Sequence, residues 1–330
     1  MKISKIIIYI ILYFTFNVNV SYSFTFSEWK DDFKILALSK GISESTFDNV
    51  MNNAKFLPKV IEYDRYQPEF YEDTKTYILK RTSNKKVLSG LNYYKKNKEI
   101  INNVDKNFEV EKDLLLALMG IETNFGIYLG KMDIISSLST LSFDKRRSEF
   151  FTNELLTILK LIDNQTVDPS ILYGSWAGAF GNFQFMPSTI EKYAIDYNNN
   201  NLIELKNNSD SFASAANYLN KMGWKKNQPC FKKVTLKSNV PEKILNTSAK
   251  KIKNKRKLKH YKKYIIDELN YDENSKIAII TPDADIVDNA KKNDPAYIVF
   301  QNYELILKWN RSLRFGLAVC TLKNKFNNEL

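Results

Sequence analysis

Histidine occurs once in this chain of 330 residues, as His260, and cysteine occurs only as Cys230 and Cys320. One imidazole and two distant thiols cannot build an ordinary zinc site, which excludes chemistry of that kind. There is no GxSxG elbow, no phosphate-binding glycine loop and no dinucleotide fingerprint. Serine hydrolase, kinase and dehydrogenase readings fall away with them. Beyond the first residues no apolar run is long enough to span a membrane, and no internal repeat is visible. The spacing of the two cysteines leaves a disulfide and two isolated thiols equally open.

What is present fits a packed globular chain. Apolar residues make up 44% and aromatics 13%, enough to fill a substantial core, and the length allows one large domain or one domain with a satellite. The formal charge of +12 permits a polyanionic partner. It is discounted because lysine is abundant together with asparagine and isoleucine, a bias that a genome can impose without function. Nucleic-acid binding would rest on charge alone, and the export signal at the start of the chain argues against a nucleic-acid partner. At the start, Met1-Lys2-Ile3-Ser4-Lys5 carries two lysines, Ile6 to Phe16 is almost wholly apolar, and Ser21 and Ser23 stand at minus-3 and minus-1 of a cut after Ser23. This reads as a secretory signal peptide over residues 1–23, with a retained anchor as the alternative. Export to the periplasm follows as an expectation, with a chain that is soluble after cleavage and no cysteine at the cut to carry a lipid.

Helical periodicity runs from Phe26 toward Gly41, and Ser43 or Ser45 is placed to cap a second helix starting near Thr46. Helices are expected through Asp73 to Phe108, and then over Ile135 to Leu141, Phe150 to Leu161, Ser209 to Met222 and Leu305 to Leu322. From Gly223 the pattern changes to short apolar strings between lysine-rich turns. Ile277-Ala278-Ile279-Ile280 and Ala296-Tyr297-Ile298-Val299-Phe300 read as strands. The expected fold is mainly α (α+β): a helical domain over 24–222, a small strand-rich lobe over 223–302, and a C-terminal helix over 303–330 packing back on the first domain. Lys251 to Lys263 is a lysine-rich run that forms either a solvated face or a contact with an acidic polymer. Arg146 and Arg147 either start a solvated helix or help hold a cleft together.

Glu122 is the candidate for chemistry. It follows the apolar run Leu114 to Ile121 and precedes Thr123-Asn124-Phe125-Gly126. In a helix Leu115, Leu118, Met119 and Glu122 share one face, so the carboxyl is expected on the buried side, near the point where the helix opens into a cleft. Burial of a carboxyl without a cationic partner favours its protonated form, which suits a general acid for glycosidic bonds. Some sixty residues on comes the glycine- and aromatic-rich stretch Ser175-Trp176-Ala177-Gly178-Ala179-Phe180-Gly181-Asn182-Phe183-Gln184-Phe185-Met186-Pro187.

Several pieces in order, Met119 to Gly126, Ser175 to Ser188, Tyr193 to Asp196, Ala215 to Leu219 and Trp309 to Ser312, resemble the membrane-bound lytic transglycosylase B family. Gln67 to Phe70 and Phe143 to Arg147 add weaker support. The resemblance spans nearly the whole mature chain and implies a lysozyme-like helical catalytic domain. It also implies an enzyme that cuts peptidoglycan glycan strands between N-acetylmuramic acid and N-acetylglucosamine, leaving a 1,6-anhydromuramic acid end. By that match Glu122 is the catalytic carboxylate, and Ser175, Gln184 and Asn310 lie in the cleft. Trp176, Phe180, Phe183, Phe185 and Trp309 are candidates for apolar walls against sugar faces. No cofactor and no metal is implied for catalysis; other cell-wall enzymes stay open as partners. Some relatives carry a calcium loop after the segment matching Tyr193 to Asp196. Here Asp196, Asn198, Asn200 and Glu204 occupy ligand positions, but the glycine and the final bidentate glutamate are missing, so weak binding or none is expected. A water-using muramidase and a noncatalytic peptidoglycan-binding scaffold are the competing readings.

Overall fold

A computed structural model describes residues 24–66 and 72–330. The signal-peptide expectation over 1–23 and the Gln67 to Phe70 motif lie outside the described residues. The order is α1 (Phe26–Ser39), α2 (Glu44–Met51), α3 (Pro58–Arg65), α4 (Thr74–Arg81), α5 (Asn84–Lys96), α6 (Lys98–Phe108), α7 (Lys112–Thr123), β1 (Met132–Asp133), α8 (Ile134–Phe143) and α9 (Ser148–Asp163). There follow β2 (Tyr173–Gly174), α10 (Pro187–Tyr193), α11 (Asn208–Lys221), β3 (Phe231–Val234), β4 (Leu245–Asn246), β5 (Arg256–Lys257), β6 (Lys276–Ile280), β7 (Ala296–Val299), α12 (Gln301–Trp309) and α13 (Leu313–Asn327). This is the mainly helical fold with a small strand-rich lobe that the sequence leads one to expect.

Local chemistry accounts for most helix starts. Thr25 and Glu28 form a reciprocal capping box on α1, and Asp73 caps α4 through the Thr76 amide. Ser43, rather than Ser45, caps α2, so that helix begins two residues before the expected Thr46. The Ser43 hydroxyl and the Thr46 hydroxyl also bond Asp163 at the end of α9, which fixes which serine takes the cap.

The centre of the helical body is α7. Every residue from Asp113 to Gly120 is buried, so the helix is covered on all sides and the one-faced pattern expected of it does not hold. The helices α13, α5, α6 and α11 pack around it. The expected single helix from Leu305 to Leu322 is in fact two. Asn310 is extended at φ −139° and ψ 124°, and the Ser312 hydroxyl accepts the Phe315 amide to start α13 afresh.

In the lobe, β3, β7, β6 and β4 lie side by side in that order, with β5 on β6; β4 and β6 run parallel and the other pairs antiparallel. Alternate residues of β6 face opposite sides. Ile277 and Ile279 join Leu258, Tyr261 and Ile298 in a core belonging to the lobe, whereas Ala278, Ile280, Tyr297 and Val299 join the main core. With both faces covered, the strand reads as an unbroken apolar string. Cys230, just before β3, is bonded to Cys320 in the middle of α13, with the Cα atoms 6.1 Å apart.

Ion pairs to buried aspartates pin the helices. The Asp283 carboxylate accepts the Thr74 amide at 3.0 Å, the Thr74 hydroxyl at 2.5 Å and the Arg314 guanidinium at 2.8 Å. Arg314 and Asp283 are 2% and 6% exposed, so removing either partner strands a charge away from water. Asp283→Ala is therefore expected to cost about 3–5 kcal/mol in urea unfolding. A loss within experimental error would show that the pair is solvated in solution. Asp64 is paired with both Arg146 and Arg147, and Arg146 Nη2 also donates to the Asp64 carbonyl at 2.6 Å. Arg147 stands at the start of α9 as its N-cap residue, and the basic pair ties that start to the end of α3.

Burial pushes the phenols of Tyr218 and Tyr297 up to about 12, with neighbouring Tyr193 adding to the first and Asp283 to the second. Burial also raises Tyr93 and Tyr303 well above the usual value. The unfolded chain releases these protons near pH 10.0 while the folded chain keeps them. Their contribution is complete below that pH and is lost as pH rises toward 12, at roughly 1.4 kcal/mol per group and pH unit. Tyrosinate absorbance should rise in two steps, the second coinciding with loss of the helical circular dichroism signal. Full titration in a chain that is still folded would contradict this.

Candidate active site

Three segments meet at Glu122: the end of α7, the 175–187 loop and the break between α12 and α13. The helix stops because Asn124 and Phe125 take φ of 50° and 61°, followed by Gly126 at 81°. A left-handed phenylalanine is strained, and packing holds it there. Its ring lies over two glycines, Gly90 and Gly120, where an added Cβ would come within 2.7 and 2.8 Å of ring carbons. Next to Glu122, the buried Thr123 hydroxyl donates to the Asn182 carbonyl at 2.9 Å and accepts the Gly126 amide at 3.1 Å, stitching the helix end to the loop.

Glu122 is half-buried, and its Oε1 accepts the indole N–H of Trp309 at 3.1 Å. It borders a cavity of about 330 Å³ lined also by Ser83, Lys85, Lys86, Ser89, Ile121, Asn124 and Tyr128. Among the described residues of this lining Glu122 is the one carboxylate. Lys86 reaches from α5 to donate to the Gly120 carbonyl at 2.6 Å. Burial, and secondarily the charge of Arg81, holds its ammonium below the usual lysine range. The cation thus sits on the electronegative end of the helix that carries Glu122.

Trp309 is itself held by aromatic rings. Tyr218 lies 5.1 Å from it, Phe185 5.2 Å and Phe183 6.2 Å. Phe183 and Phe185 are each 3% exposed, and Phe180 is 1% exposed, so these three stand behind the site rather than on its surface. Trp176 is half-buried against the main core. The Ser175 hydroxyl accepts the amides of Ala177 and Ala179, at 3.3 and 3.0 Å, leaving its own proton free to donate. Gln184, at φ 50°, donates through Nε2 to the carbonyls of Leu129 and Gly181, which leaves Oε1 as an acceptor. Asn310 follows Trp309 directly and is half-buried; its side chain makes no hydrogen bond among the described residues.

Sequence reasoning missed Lys86, Tyr128 and Tyr218. Lys86 is one lysine among many, and Tyr218, although inside the Ala215 to Leu219 stretch, reads as a core position of α11. Asp210 was missed as well. Fully buried in α11, it accepts the amides of Tyr197, Asn198 and Glu204 and so shapes the loop that follows α10. In that loop Asp196 accepts the amides of Asn200 and Asn201, Asn198 accepts the Asn200 amide, and Glu204 accepts the Asn200 side chain. Asn207, in the twelfth position, caps α11 through the Ser209 amide. Only two residues of the loop, Asp196 and Glu204, are acidic, and the glycine at the sixth position and the glutamate at the twelfth are absent, so the loop offers a calcium ion a weak ligand set.

The family model described as "Transglycosylase SLT domain" matches residues 25–324. The chain belongs to this family. The chain is 36% identical over 141 residues to membrane-bound lytic murein transglycosylase B of Escherichia coli (strain K12), a stretch that is 42% of this chain and 39% of that protein. The match thus spans well under half the length of that curated relative. As a transglycosylase SLT-domain fold, the chain superposes on SltB3 from Pseudomonas aeruginosa, in complex with NAG-anhNAM-pentapeptide, with a TM-score of 0.81, 30% identity, and coverage of 92% of this chain and 80% of that one. The soluble lytic transglycosylase SltB1 from Pseudomonas aeruginosa shares the fold, with a TM-score of 0.78, 23% identity, and coverage of 91% and 99%.

Proposed function

We propose that the protein is a lytic transglycosylase of the membrane-bound type B branch, cleaving the β-1,4 bond between N-acetylmuramic acid and N-acetylglucosamine in peptidoglycan. The observation that carries this reading is Glu122: a carboxylate at a helix end, oriented by Trp309, in a cavity where no other described carboxylate stands opposite it. A retaining hydrolase needs a second carboxylate as nucleophile and an inverting one needs it as base. One carboxylate suffices when the substrate supplies its own nucleophile. Glu122 protonates the glycosidic oxygen as positive charge develops at the muramic anomeric carbon. As a carboxylate it then takes the proton of the muramic C6 hydroxyl while that oxygen closes on the anomeric carbon. The leaving sugar has gained one proton and the C6 hydroxyl has lost one, so water is not consumed.

The neighbours have parts to play in this scheme. Trp309 fixes Glu122 Oε1 through its indole N–H, and the rings of Tyr218 and Phe185 hold Trp309. The free Ser175 proton and the Asn310 amide suit the acetamido group, whose oxygen stabilises the developing cation. Gln184 Oε1 suits a sugar hydroxyl, and Trp176 and Tyr128 suit apolar sugar faces. The bound NAG-anhNAM-pentapeptide of SltB3 supports the anhydro product. A periplasmic location accords with the leader-like start of the chain; among the described residues no helix is long and apolar enough to cross a membrane.

Digestion of purified sacculi followed by mass analysis tests the reading. Fragments lighter by one water than reducing-end muropeptides are expected. Reducing ends would identify a muramidase, and binding without soluble fragments would identify a scaffold.

A further inference from the structure

The lysine-rich segment after Asn246 takes no part in the arrangement around Glu122. The structure brings its beginning against the end of α12. Ile252 is buried at 7% exposure and anchors the segment, which leaves Lys250, Lys251 and Lys255 exposed along one edge. Lys308 in the last turn of α12 and Arg311 just beyond it are exposed on the edge formed by α12. Between the edges lies a groove of about 550 Å³. Its floor is apolar: Met222, Ala249, Ile252 and Leu307.

Charge on the rim is one-sided. The acid on it, Glu304, is already paired with Lys255 at 3.0 Å. Lys250, Lys251, Lys308 and Arg311 have no ion-pair partner among the described residues. Like charges gathered around an apolar floor repel one another, and an anion laid between them removes that repulsion. The groove also backs directly on the active site. Lys308 precedes Trp309, and its carbonyl accepts the Tyr218 hydroxyl at 3.3 Å.

We propose that this groove is an anchoring site for carboxylate-bearing peptides, the branches of peptidoglycan lying away from the bond being cut. The proposal rests on the reading of peptidoglycan as the substrate. Peptide branches match both halves of the groove: carboxylates for the four cations, methyl and methylene groups for the floor. A phosphate polymer would use the cations and leave the floor unoccupied.

The test is the double variant Lys250→Glu, Lys251→Glu, whose exposed positions keep the fold intact and lie outside the catalytic machinery. Its affinity for native sacculi at low salt should fall roughly ten-fold or more, and high salt should erase the difference from wild type. Wild type should bind sacculi whose carboxylates have been amidated as weakly as the variant binds native ones. Turnover of short soluble glycan fragments should be unchanged. Unaltered binding by the variant overturns the proposal. So does competition by inorganic polyphosphate together with indifference to amidation, which would assign the groove to a phosphate polymer. Absence of fragment release by wild type would instead defeat the proposed activity, and the binding data would still decide the groove.

Discussion

Glu122→Gln is expected to lower glycan cleavage by about 10²–10⁴-fold, the range that a positioned general acid contributes. The amide keeps the length and planarity of the side chain and can still accept the Trp309 indole N–H, now seen at 3.1 Å. It cannot carry a proton to the glycosidic oxygen or take one from the C6 hydroxyl. Turnover should collapse while the melting temperature and binding to sacculi stay near wild type. A folded variant that still cuts would take the acid role away from Glu122. Trp309→Phe makes the complementary measurement: it keeps a ring among Phe183, Phe185 and Tyr218 and removes only the N–H. Its loss of rate should be smaller than that of Glu122→Gln, because the proton carrier remains and only its orientation is relaxed.

The largest expected effect on stability belongs to the Cys230–Cys320 disulfide, which closes a loop of 90 residues across the lobe and α12. A loop of that length stabilises the fold by about 4–5 kcal/mol through the entropy it removes from the unfolded chain. Cys230→Ser combined with Cys320→Ala should lower the melting temperature by roughly 10 °C. The bond joins the start of β3 to the helix packed most extensively on α7. Its loss should therefore loosen the lobe before the helical body, seen as earlier amide exchange in β3 and β7 than in α7. Equal protection of the two regions in the variant would mean that the shared core, not the bond, joins them.

Legibility in the sequence followed the range of the interactions. The expected Ile135 to Leu141, Phe150 to Leu161 and Ser209 to Met222 are close to the observed Ile134–Phe143, Ser148–Asp163 and Asn208–Lys221. These helices show their periodicity and caps within a few residues. The strands β6 and β7 were legible because they are short β-branched apolar strings bounded by turn residues, Asp272 to Ser275 and Pro282-Asp283 around β6 and Asn293-Asp294-Pro295 before β7. The break at Asn310 was not, since Trp309-Asn310-Arg311-Ser312 contains neither glycine nor proline, and its extended backbone is held by Ser312 capping α13. The one-faced reading of α7 failed for a related reason. The unbroken run Leu114 to Ile121 puts apolar groups on every side of the helix, and α13, brought from the far end of the chain, covers the side that the one-faced reading left to solvent.

What the sequence determined by itself was the candidate group for chemistry and the grammar around it: a glutamate at the end of an apolar helix, a stop signal after it, a glycine- and aromatic-rich loop, and the longer strands gathered in one region. Those signals are local, because caps, periodicity and turn chemistry act across neighbouring residues. The tertiary structure alone decided which groups face that glutamate. Trp309 lies 187 residues from Glu122 in sequence, the Thr123 hydroxyl finds a carbonyl 59 residues away, and Lys86 reaches Gly120 across 34. Contacts at such separations leave no mark in local propensity. They come from the packing of α13, α5 and α11 around one wholly buried helix, where the need to fill volume and to satisfy every buried polar atom selects the partners.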